Sequence, residues 1–77
     1  MLDVNIIIAN NIQAELEKEN KKQTDLAEDI GISMQTMGKI MSGARAINAA
    51  EFHKISEYLH VPMDSLMRIP EKRWIRM

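Results

Sequence analysis

Two histidines, His53 and His60, and no cysteine leave this 77-residue chain little bond-making chemistry. Disulfides and Cys-based zinc sites are excluded. Two histidines are too few to staple a metal on their own, and both read as surface or helix-end residues. No nucleophile–base pair, phosphate loop or metal-ligand spacing stands out. The expectation is therefore a protein that is not an enzyme and uses no cofactor. The polar chemistry on offer is recognition. Amide and cationic side chains are spread along the chain from Asn10 to Asn48. A glutamine can bond an adenine edge in bidentate fashion, and a lysine can donate to guanine O6 or N7. Lysines, arginines and the free N–H groups of a helix start can hold phosphate. The plainer alternative is that these residues are merely solvated.

Such side chains need elements to position them, and helical periodicity dominates the chain. Residues 4–19 place Val4, Ile8, Ile12 and Leu16 on one stripe, with Asp3 as N-cap. Asn20-Lys21-Lys22 ends this helix. Residues 23–30 bring Leu26, Ala27 and Ile30 to one face, and Gly31 stands where a left-handed C-cap is expected. Ser33 caps a third helix over 34–42, with Met37, Ile40 and Met41 inward and Gly43 as its C-cap candidate. Asn48 caps a fourth over 49–59, with Phe52, Ile55, Tyr58 and Leu59 inward. Val61-Pro62 stops it, and Pro62 suits the first positions of a last short helix over 62–67, with Leu66 inward. Met37, Met41, Met63 and Met67 fall at spacings consistent with a core. The expected class is all-α, five short helices and no strand.

The segment from Gln23 to Gly43 is the informative one. A small residue, Ala27, faces a tight turn at Gly31, Ile32 plugs the turn, and Met37 with Ile40 buries the following helix. That is a helix-turn-helix layout. It leaves the outer N-terminal face of helix 34–42 projecting from the body, as fits a major groove.

With these residues the chain resembles the phage-repressor/Cro class of helix-turn-helix proteins, the XRE-type family. The resemblance runs without a gap from about Ile8 to Met67. It includes Gln23, Leu26-Ala27, Gly31, Ser33, Gly43, Asn48, Leu59-His60-Val61 and Asp64-Ser65-Leu66. It implies a compact five-helix bundle of the lambda repressor-like type over residues 1–69, with a tail over 70–77. One departure is informative. Many relatives pair an Arg in the first helix with a Glu near the end of the third, and here Leu16 and Met41 stand at those positions. A partly buried ion pair can be replaced as a whole by apolar packing, whereas losing one partner alone is costly. The double change implies a Leu16–Met41 contact.

The resemblance also implies which positions face DNA. Bases would be read from Met34, Gln35, Gly38 and Lys39. Met34 is limited to apolar contact, for instance with a thymine methyl, and Gly38 lets the backbone come close. Phosphates would be met by Lys21, Lys22, Gln23, Ser33, Thr36, Arg45 and Asn48. The implied function is a sequence-specific transcriptional regulator, usually a repressor of prophage or mobile-element type. It would work as a homodimer on a palindromic operator of double-stranded DNA. Antitoxins share the fold, which opens autoregulation with a toxin partner, or a protein-binding module with weak DNA affinity, as alternatives.

Charge first argues against this. Ten Lys and Arg face 11 Asp and Glu, a net charge of −1, where a DNA binder is expected to be basic. The distribution answers the objection. Residues 1–20 carry −3 and residues 46–67 carry −2, whereas residues 21–45 carry +1 and residues 68–77 carry +3. The longest apolar run, Ile6-Ile7-Ile8-Ala9, is far too short for a membrane span. A cytoplasmic protein is expected, and lack of cysteine fits a reducing compartment. A chain this short has a marginal core, so a second copy is expected, with Trp74 and Ile75 of the tail as one possible contact.

Overall fold

In the computed structural model, residues 3–69 are described, and they form five helices and no strand. The helices are α1 (Val4–Lys18), α2 (Gln23–Ile30), α3 (Met34–Met41), α4 (Ala49–Leu59) and α5 (Met63–Leu66). α2 and α4 have the limits expected of them. α1 and α3 each end one residue early. α5 is shorter than expected because Pro62 is its N-cap and Met67 its C-cap.

Local chemistry fixes the helix starts. Asp3 accepts a 2.9 Å hydrogen bond from the Asn5 N–H, and Ser33 accepts one of 3.1 Å from Thr36 N–H. Asn48 and Glu51 form a reciprocal capping box at α4. Gly31 ends α2 in the left-handed region at φ 79°, which suits a residue without Cβ. The turn then lets the Ile32 N–H donate to the Ala27 carbonyl at 3.0 Å. Gly43 is also left-handed, at φ 81°. A Cβ there would stand 2.7 Å from Ile6 Cγ1, so the start of α1 passes close over this turn. His60 closes α4 at φ 58°, an uncommon conformation for a non-glycine residue that periodicity gave no reason to expect.

One core holds the helices together. Ile8, Ile12 and Leu16 from α1 meet Leu26, Ala27 and Ile30 from α2, Met37 from α3, Phe52, Ile55 and Leu59 from α4, and Leu66 from α5. α3 rests on α1 and α2, while α4 spans α2 and α5. Ala27 is almost completely buried, which is where a small side chain lets α2 and α3 approach. Asn11 fastens α1 to the far end of the chain. Its Nδ2 donates to the carbonyls of Leu66 at 2.7 Å and Arg68 at 2.9 Å, satisfying backbone acceptors just where α5 runs out.

Several expected core residues lie elsewhere. Met67 is 47% exposed and Val4 is 48% exposed. Met67 comes after the last turn of α5, and Val4 precedes the first turn of α1 that reaches the core. Tyr58, Met41 and Met63 are half-buried and pack on the core from outside. Met41 thereby lies against the cluster that contains Leu16. Trp74 and Ile75 fall outside the described residues.

Candidate nucleic-acid interface

α3 has two unlike faces. Met37 and Ile40 are buried at 0% and 1% exposure, and they fix the roll of the helix on α1 and α2. With about 100° between successive residues, that roll turns Met34, Gln35, Gly38 and Lys39 outward, and all four are exposed. The side chains of Gln35 and Lys39 make no hydrogen bond or ion pair with other described residues, so their donors and acceptors are available to a partner. Met34 is 43% exposed, beside this polar pair.

Ser33 and Thr36 flank this face and bind each other. The Ser33 hydroxyl donates to Thr36 Oγ1 at 3.1 Å and its oxygen caps the helix. The pair uses one hydroxyl proton and leaves the other for an outside acceptor.

The start of α2 lies next to Met34. Gln13, Lys21, Lys22, Gln23, Thr24 and Met34 line an open recess there. Lys22 is the N-cap of α2, with no side-chain hydrogen bond to the first turn. The first N–H groups of the helix therefore lack a side-chain acceptor. Gln23 is held in place from α1. Its Nε2 donates to Gln13 Oε1 at 2.9 Å, and Gln13 in turn donates to Glu17 at 3.0 Å. Gln13 and Glu17 escaped the sequence reading. Their i, i+4 spacing was visible, but nothing local linked them to Gln23.

The remaining expected phosphate contacts divide. Lys22 is exposed. Lys21 is engaged inside the protein: its Nζ donates to the Tyr58 carbonyl at 3.3 Å and sits 4.6 Å from the Tyr58 ring centre. Its charge ties the α1–α2 turn to α4. Burial, with the carboxylates of Asp25 and Asp29, pushes the Tyr58 phenol above its usual range.

Arg45 is engaged as well. It grips Glu51 with two parallel bonds, of 3.0 and 3.1 Å, the bidentate geometry favoured by guanidinium and carboxylate. Glu51 also accepts from the Asn48 N–H at 3.2 Å, while Asn48 Oδ1 accepts from the Glu51 N–H at 2.8 Å. Arg45, Asn48 and Glu51 thus form one clasp that sets the α3–α4 loop. The Asn48-x-x-Glu51 pattern was the signal that could have exposed Glu51.

The clasp has a pH signature. Hydrogen bonding from Arg45 holds the Glu51 carboxyl below its ordinary range, and burial opposes this while the Asn48 N–H adds to it. A carboxyl whose folded value lies below its unfolded one stabilises the fold above the unfolded value, about 4.3 for glutamate. That contribution is lost as pH falls through the lower, folded value. Glu51→Gln is therefore expected to lower the melting temperature most near neutral pH, with the gap from the wild type closing in acid. Melts of both proteins from pH 7 to pH 3 test this, and a gap that stays constant would show that Glu51 ionisation contributes nothing.

Comparison with known proteins agrees with this geometry. The family model described as “Helix-turn-helix” matches residues 12–66. A solved structure described as a hypothetical transcription factor from Neisseria superposes with a TM-score of 0.82 at 20% sequence identity, covering 97% of this chain and 86% of that one. At that identity the likeness concerns the fold. No curated protein matches the chain.

Proposed function

Because the chain belongs to the helix-turn-helix family of Cro/C1 (XRE) type, we propose that it is a sequence-specific regulator of transcription that lays α3 in the major groove. The observation that carries this reading is the outward face of α3. Gln35 and Lys39 stand exposed one turn of helix apart, with uncommitted hydrogen-bonding groups, while Met37 and Ile40 lock the helix from behind.

In this reading Gln35 bonds an adenine edge, Lys39 a guanine edge, and Met34 and Gly38 complete the base-facing surface. The uncapped start of α2, with Gln23 held by Gln13 and Lys22 beside it, receives a phosphate. Thr36 and Ser33 supply contacts at the edge of α3. Lys21, Arg45 and Asn48 act chiefly by shaping the turns that carry these groups, and reach phosphate only with donors left over. Two copies on a palindromic operator would place their α3 helices about 34 Å apart. Occluding a promoter would then give repression, as suits an element of prophage or mobile type.

On an operator selected from random duplexes, footprinting should show two protected half-sites one helical turn apart. Sedimentation should show two protomers per duplex. A single protomer per site would overturn the dimer, and no protected site at all would overturn the regulator.

A further inference from the structure

Gly38 has no explanation inside the protein. It sits in the interior of an eight-residue helix, where glycine is the poorest helix former after proline. Its backbone is not left-handed, unlike those of Gly31 and Gly43. A Cβ added to it would meet no atom of the chain within 4 Å. Neither φ nor packing therefore requires glycine here, and the residue faces outward. One turn before it, on the same side of α3, stands Met34, the exposed apolar residue of this face.

We propose that Gly38 and Met34 together form a seat for the 5-methyl group of a pyrimidine in the major groove. The missing side chain leaves open space on this face, room for a methyl to approach the helix backbone, and the exposed Met34 thioether chain one turn away offers it an apolar neighbour. Gln35 and Lys39 are exposed on the same helix with free hydrogen-bonding groups, so a methyl placed there is read beside base edges. Of the groups the major groove presents, the apolar one is the C5-methyl of thymine. 5-Methylcytosine carries the same group at the same ring position and would fit equally. This inference rests on the major-groove reading above and adds a specificity-determining role for a residue with no side chain.

The test uses the full chain and an operator selected from random duplexes. Each thymine of a half-site is replaced in turn by deoxyuridine, which removes the methyl alone. Wild-type affinity should fall at one position, by roughly fourfold, the worth of one methyl withdrawn from water. Methylating cytosine placed at that position should raise affinity by a similar factor, which separates recognition of the methyl from recognition of thymine as such. Gly38→Ala fills that space. It should melt above wild type, showing an intact helix, yet bind the thymine operator at least tenfold more weakly and recover on the deoxyuridine operator. Indifference of the wild type to every thymine replacement, or a Gly38→Ala protein that binds both operators like wild type, would overturn the proposal. If base preference is lost in Gln35→Ala while deoxyuridine has no effect, the reading helix stands and the methyl seat falls. If no duplex is selected at all, both fall.

Discussion

Ile12→Ala is expected to remove a large part of the stability of this protein. Ile12 is completely buried at the centre of α1, within the cluster that gathers all five helices. Truncating such a side chain to alanine costs about 2–5 kcal/mol, because lost burial adds to the cavity left behind. A domain of this size has roughly 4–12 kcal/mol in total. There is no cysteine to supply a cross-link. The melting temperature should fall by about 8 °C or more, since each kcal/mol corresponds to about 4–8 °C in a domain of this size. Val4→Ala is the control. Val4 lies on the same helix but is 48% exposed, and its truncation should move the melt by no more than a few degrees. If Ile12→Ala melted as little changed as Val4→Ala, the core described here would be wrong.

Gln35→Ala and Lys39→Ala should act on recognition instead, with folding unchanged, because both side chains are exposed and neither supports another element. A well-made bidentate contact to a base edge contributes about 1–3 kcal/mol of discrimination. Each variant should therefore flatten preference at one position of each half-site, between roughly fivefold and a hundredfold. Gln23→Ala should differ in kind. Gln23 is the first residue of the uncapped α2, with its side chain held by Gln13, so its loss should weaken all duplexes alike and leave the preference profile intact. Binding profiles of the three variants across a library of single-base operator changes distinguish these outcomes. An unchanged profile in Gln35→Ala would remove α3 as the reader.

The parts of the molecule that follow local rules were legible in the sequence. Gly31 after Ile30 marked the end of α2, Ser33 and Asn48 marked the starts of α3 and α4, and the spacing of Met37 and Ile40 fixed the buried side of α3. Contacts between residues distant in sequence were not legible. Lys21 read as a free cation because nothing near it foretells Tyr58, and the pair forms only when α4 packs beside the α1–α2 turn. Asn11 gave no sign of its bonds to the Leu66 and Arg68 carbonyls, since its partners lie at the other end of the described chain. Met67 followed the helical period, but the helix ends one residue before it, and period alone does not show where a short helix stops. Arg45 lies between these cases. Its charge suggested phosphate, whereas the capping box at Asn48 and Glu51 supplies a nearer anion.

The charge distribution bears on the same question. The acidic α1 and the acidic 46–67 segment offset a modestly basic 21–45 segment. With Lys21 and Arg45 engaged internally, few cations among the described residues remain free on the proposed face. Non-specific affinity should accordingly be modest, and specific binding should depend on Gln35, Lys39 and a second copy.

The most direct test of DNA recognition by this protein is its affinity for a random duplex and for a selected operator, measured across salt from about 50 to 200 mM. Binding to both should weaken steeply as salt rises, with a slope of about 0.9 per phosphate contacted. The selected operator should stay tighter than the random duplex throughout. Absence of duplex binding even at the lowest salt, or affinity that does not change with salt, would contradict the account.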